Sequence, residues 1–120
     1  MLKLTFCLRR LPSLSLEEFQ DYWLNKHGPL VRTLQPVLGM TRYVQLHRLP
    51  GDLADGMRRA RRAPEPYDGV AELWFDDLAA VRAAQASPEW AASTADEAHF
   101  IDPTRTALLI TEEHPIAGRQ

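Results

Sequence analysis

The chain has 120 residues, 45% of them hydrophobic and 25% charged, with a formal net charge of -2. This fits one folded domain and leaves no room for two; at this size roughly two-thirds of the unfolded surface is buried, so a core forms without metal or disulfide staples. A slightly acidic chain lacks the basic surface that phosphate-backbone binding needs, and its short apolar stretches fall far below the ~20 residues of a membrane span, so neither nucleic acid nor membrane is expected as a partner.

Leu2, Leu4, Phe6 and Leu8 alternate with Lys3, Thr5, Cys7 and Arg9, a period of two that predicts a first strand ending near Pro12. The same start lacks the long apolar core of a signal peptide, and the single cysteine, Cys7, reads as a buried thiol in a reducing compartment, so a cytoplasmic location is expected. Ser15-Leu16-Glu17-Glu18 has the form of a capping box, with Leu14 and Phe19 spaced as a hydrophobic staple. Phe19, Trp23 and His27 follow at intervals of four and share one face of this helix, which Gly28-Pro29 is expected to stop. Pro29 then opens a short second helical piece that Pro36 and Gly39 break.

Residues 40–48 predict an unusually polar strand, with Tyr43, Gln45 and His47 on one face and Arg42, Val44, Leu46 and Arg48 on the other. Four arginines, Arg58, Arg59, Arg61 and Arg62, follow in a segment bounded by glycines and prolines. This reads as a solvated loop or as a lid or anion-docking patch. Gly69–Phe75 predicts a third strand, capped into a helix by Asp76 or Asp77. Ser87-Pro88 restarts that helix, and Thr94 with Glu97 makes a second capping-box pattern that places Asp96 in a first helical turn. Residues 106–111 predict the last strand, leaving one domain over 1–114 and a polar tail over 115–120.

The order βαββαβ predicts an α+β, ferredoxin-like fold: a four-stranded antiparallel sheet with helices on one face. Both faces of the third and fourth strands are largely apolar, although one layer of helices covers only one face, so the other is expected to meet a second copy and form a homodimer.

Among groups that carry chemistry, His27 ends the aromatic face of the first helix, and an imidazole titrates near ~6.5, where it accepts or delivers protons at neutral pH. Its alternative role is a cationic helix cap. Tyr43 and His47 stand on one strand face and would position a substrate oxygen if that face is buried. Glu72 shares the side of Trp74 in an otherwise apolar strand, where a carboxylate must be paired or protonated. It is expected to orient His27 or His47, to act as the base, or to pair with Arg42 or Arg48. Asp96 is either a helix-end carboxylate or part of the site, and His99 lies three residues further on. Tyr22, Trp23 and Trp74 suit either core packing or the walls of a pocket for a flat substrate. Widely spaced histidines, with no paired metal-ligand motif and no phosphate-binding glycine loop, give no support to a metal or a nucleotide cofactor.

The sequence resembles the EthD domain family of the dimeric α+β barrel superfamily. The likeness rests on Phe19-x-x-Tyr22-Trp23-x-x-x-His27-Gly28-Pro29-Leu30, Arg42-Tyr43-Val44-Gln45 and Tyr67-Asp68-Gly69-Val70-Ala71-Glu72-Leu73-Trp74-Phe75, with Ser87-Pro88-Glu89, Asp96-Glu97-x-x-Phe100-Ile101-Asp102 and Glu112-Glu113-His114 further on. The resemblance implies two ferredoxin-like protomers packed sheet to sheet, with a pocket between each sheet and its own helices. Related barrels include lactone isomerases, polyketide cyclases, dehydratases, decarboxylases and cofactor-free monooxygenases. The expected function is therefore acid–base chemistry without a cofactor on a cyclic, aromatic or polyketide-like small molecule, or, in another class, a non-catalytic ligand-binding or accessory role. His27, Glu72 and Asp96 are the candidate catalytic residues, and Tyr22, Trp23, Tyr43, His47, Trp74 and His99 the candidate substrate contacts.

Overall fold

A computed structural model describes residues 1–118. Four strands, β1 (Leu2–Leu8), β2 (Arg42–His47), β3 (Gly69–Phe75) and β4 (Ala107–Glu112), form one antiparallel sheet in the order β2-β3-β1-β4. Helix α1 (Leu16–Tyr22) runs through a π-helical turn (Trp23–His27) into α2 (Gly28–Leu38), while α4 (Leu78–Gln85) and α5 (Pro88–Glu97) form the second crossover. The expected α+β, ferredoxin-like arrangement is what the chain adopts.

Local chemistry sets the helix starts. Ser15 Oγ accepts the Glu18 amide at 3.0 Å while the Glu18 carboxylate accepts the Ser15 amide at 2.9 Å, so the capping box is complete. Asp77 and Ser87 cap α4 and α5 in the same way through single side-chain acceptors. Gly39, at φ 73°, ends α2 in the left-handed region, whereas Pro36, also expected to break this helix, lies inside it.

The register sorts the side chains. Leu4 opposes Leu73, Phe6 opposes Ala71 and Tyr43 also opposes Leu73, so these residues share the face on which the helices pack. Phe19, Trp23, Phe75 and Phe100 are the largest fully buried side chains there. Thr5 opposes Glu72, Lys3 opposes Trp74 and Arg42 also opposes Trp74, so Glu72 and Trp74 lie on the other face, away from the helices.

Three local expectations are corrected. Gly28-Pro29 does not stop the first helix: the Gly28 amide donates to the Trp23 carbonyl one residue further back than in an α-helix, and Pro29, with no amide to satisfy, sits in the first turn of α2. The arginine segment is not a loop throughout but contains a short exposed helix, α3 (Leu53–Ala60). Thr94 and Glu97 do not start a helix, because α5 continues through them from Ser87, which puts Asp96 in its last turn. Residues 113–118 carry no regular secondary structure; the last two residues of the expected tail lie outside the described residues.

Candidate active site

Between the sheet and its helices lies a cavity of about 260 Å³. Phe6, Leu73 and Ala71 form its floor, Trp23 and Trp90 wall it, and its polar groups come from His27, Tyr43 and Glu97 among others. Each polar group is set by a different element. The π turn carries His27, β2 carries Tyr43 and the last turn of α5 carries Glu97.

His27 is almost fully buried, and its Nδ1 lies 2.8 Å from Asp96 Oδ2. The Tyr22 hydroxyl donates to Asp96 Oδ1, also at 2.8 Å. Burial holds the His27 imidazole below its ordinary value despite the neighbouring carboxylate, so the neutral ring donates from Nδ1 and keeps a lone pair on Nε2. Asp96 stays below the usual carboxylate range: burial opposes ionisation, but hydrogen bonds from His27 and Tyr22 outweigh it. The adjacent Glu97 has no such donors and is pushed up to about 7 by burial and by the charge of Asp96. Two successive carboxyl groups are thus driven apart in acidity.

Tyr43 is likewise raised by burial, so its phenol remains protonated. Its oxygen accepts from Gln45 Nε2 at 3.0 Å, which leaves the hydroxyl proton free to donate to a bound oxygen. Gln45 also donates to the Trp23 carbonyl at 2.8 Å, tying the edge strand to the π turn, while its Oε1 accepts from His47 Nε2 at 2.7 Å. His47 stacks beneath the Trp23 indole, with ring centroids 4.4 Å apart. No group of three or more His, Cys, Asp or Glu converges as a metal site would require among the described residues.

The structure therefore brings together His27, Asp96, Tyr22, Trp23 and Tyr43 from the expected set. It places His47 behind Trp23, facing a separate and more open cavity lined with Gln45, Arg32 and Arg42. His99 is mostly exposed; it stacks on Tyr22 and approaches Asp96 Oδ1 at 3.4 Å from outside the cavity. Glu72 and Trp74 are corrected outright, since they project from the opposite face of the sheet. Glu72 pairs with Lys3 at 2.6 Å rather than with a histidine or with Arg42 or Arg48, and the Trp74 indole donates to Glu113. The orienting carboxylate of His27 is Asp96. Glu97 was missed because its spacing from Thr94 reads as a cap, and only the unbroken helix reveals it as a wall of the cavity.

The EthD domain matches residues 11–104, a span that holds every polar group of the cavity. This chain belongs to the EthD domain family. Among solved structures, an EthD family protein from Bacillus halodurans C-125 superposes with a TM-score of 0.68 at 22% identity, covering 95% of this chain and 99% of that one. A dimeric protein with a ferredoxin-like fold from Bacteroides fragilis gives 0.66 at 17% identity, covering 93% and 95%. A dimeric ferredoxin-like protein from Jannaschia sp. CCS1 gives 0.67 at 15% identity, covering 93% and 98%. These likenesses carry the fold. No curated protein matches the sequence. Among the described residues no helix of this EthD chain is long and apolar enough to cross a membrane.

Proposed function

We propose that this protein is an acid–base enzyme that acts without a cofactor on a small carbonyl compound with a cyclic, aromatic or polyketide-like body, as a cyclase, dehydratase or isomerase. The observation that carries this reading is the buried His27, whose Nδ1 proton is given to Asp96 while its Nε2 has no partner among the described residues. A ring fixed in that tautomer is a general base. In the proposed step, Nε2 removes a proton from the carbon beside the carbonyl, the Tyr43 hydroxyl donates a hydrogen bond to the enolate oxygen, and the protonated Glu97 returns a proton at a second atom. Protons are moved and no electrons are gained or lost. At about 260 Å³ the cavity lies just below the usual span of ligand pockets, about 300–1,000 Å³, which favours a small body, and its aromatic walls suit a flat one.

The working unit is inferred to be a homodimer. Leu46 and Leu109, on the open face, are each around half exposed, which is costly in water, and similar solved structures are described as dimeric.

The test is turnover of a panel of β-polyketones, unsaturated lactones and quinone precursors, read by mass spectrometry, with folding checked by circular dichroism. His27→Ala is expected to lose at least about 100-fold in rate. The pH profile should be bell-shaped: a rise through the lowered His27 value, below 6.5, and a fall near 7 as Glu97 ionises. Glu97→Gln should remove the upper limb. A folded His27→Ala protein as active as wild type sinks the assignment, and absence of turnover with tight ligand binding favours the accessory role.

A further inference from the structure

At the end of the sheet where β1 and β3 meet the loops, a third cavity of about 250 Å³ is lined by Arg9, Arg10, Arg48 and Arg105 together with the carboxylates of Asp68 and Glu65. The chain as a whole is negative, yet the charged groups here run four to two in favour of cations.

Most of these guanidinium groups are held in place. Arg9 donates to the Pro66 and Glu65 carbonyls at 2.6 and 3.1 Å and lies 4.2 Å over the Tyr67 ring. Arg10 donates to Asp68 Oδ1 at 2.6 Å and to the Leu14 carbonyl at 2.9 Å. Arg48 donates to the same Oδ1 at 3.0 Å. Asp68 is also taken up by the Arg10 amide on Oδ2 at 2.8 Å, so its negative charge is already shared by three donors. Glu65 is largely exposed and leans towards Arg58 at 3.8 Å rather than towards these groups. Arg105 has only a long 3.9 Å approach to Asp102 and is more than half exposed. Arg48 spends Nη2 on Asp68 and its buried Nε has no acceptor among the described residues, so the protein itself uses only part of this guanidinium.

We propose that this arginine cradle is a binding site, separate from the His27 cavity, for the phosphate group of a phosphorylated small molecule. Guanidinium forks match the oxygens of phosphate, and donors fixed beforehand by other hydrogen bonds lose little freedom when the anion arrives. Donors arriving from several chain segments serve the three oxygens of a phosphate monoester better than the two of a carboxylate. The volume also leaves room for the group that the phosphate is attached to.

Titration calorimetry with inorganic phosphate, phenyl phosphate and acetate at matched ionic strength tests this. Wild type is expected to bind both phosphates more tightly than acetate, with phenyl phosphate at least equal to inorganic phosphate. Arg105→Ala, which disturbs no short ion pair, and Arg48→Lys, which keeps a cation against Asp68 but removes the fork, should each weaken binding about tenfold. His27→Ala should bind phosphate as wild type does. Phosphate binding no tighter than acetate overturns the proposal. So does binding that both arginine variants leave untouched, or binding that His27→Ala abolishes, because the anion then sits elsewhere. Exclusion of phenyl phosphate by a protein that takes inorganic phosphate overturns the assignment to an ester.

Discussion

Replacing Glu97 by Gln should change how the stability of this protein depends on pH, by an amount that follows from the cavity. The Glu97 carboxyl has an ordinary value of 4.5 and is raised to about 7 in the fold, so the folded state holds its proton more firmly than the unfolded chain does. That stabilisation is complete below about pH 4.5 and is lost as pH rises through about 7. Between the two values the unfolded chain binds one proton fewer, and stability falls by about 1.4 kcal/mol per pH unit. The full loss is about 3 kcal/mol, an upper figure because water at the cavity mouth screens the charge. His27 works in the opposite sense. Its folded value is lowered, so its contribution is present above 6.5 and is lost as pH falls below that. The two slopes overlap and partly cancel in wild type, which makes the difference between proteins the useful quantity. Gln is neutral at every pH, so urea unfolding followed by tryptophan fluorescence at fixed protein concentration should show Glu97→Gln gaining on wild type from pH 5 to about pH 7 and levelling off by pH 8. A difference that stays constant across that range would mean that Glu97 is not desolvated, and the acid assigned to it would fall.

Other perturbations follow from packing and charge. Gly69 has no side chain because the Trp23 indole occupies its space: a Cβ there would lie 2.8 Å from Trp23 Cη2 and 3.1 Å from the Leu46 carbonyl. The indole is held against His47 and Phe19, so Gly69→Ala should cost about 1–3 kcal/mol in denaturant unfolding and raise His47 exchange in NMR spectra. Asp68→Asn should cost about 3 kcal/mol, because it strips the charge partner from Arg10 and Arg48 at a nearly buried position. Asp68 is held below its ordinary value, against burial, by the Arg10 amide and the two guanidinium groups, so wild type should lose this stabilisation as pH falls below about 4, and the Asn protein should not.

The sheet and the helix starts were legible because they are written in short-range terms: alternation for the strands, Ser15 with Glu18 for α1, Asp77 and Ser87 for the later helices. The polar row of Tyr43, Gln45 and His47 was also readable as one face of β2. What alternation does not encode is which of two apolar faces the helices cover. Phe6, Leu73 and Ala71 line the covered face, while Val44, Val70 and Trp74 would serve a core equally well, so Glu72 was assigned to the wrong side. The Asp96–His27 pair is likewise a contact across 69 residues, created only when α5 packs against the π turn. A carboxylate in a plausible capping position gives no local sign that its partner is a distant histidine.

The π turn shows how the site and the fold share one device. In an α-helix, residues four apart overshoot a full turn, which takes 3.6 residues, so Phe19 and Trp23 are rotated slightly past each other. A π turn holds more residues, so the step from Trp23 to His27 falls short of a full turn and rotates the chain back. His27 therefore returns to the line of Phe19 instead of drifting off the sheet, and both rings end up against Phe100. The same extra residue lets the backbone run through Gly28-Pro29 without stopping, and it frees the Trp23 carbonyl to accept from Gln45 as well as from Gly28. A straight α-helix would keep the aromatic packing of Phe19 and Trp23 but turn the imidazole away from Asp96. Core packing alone does not require the π turn; an imidazole held between Asp96 and an apolar cavity does.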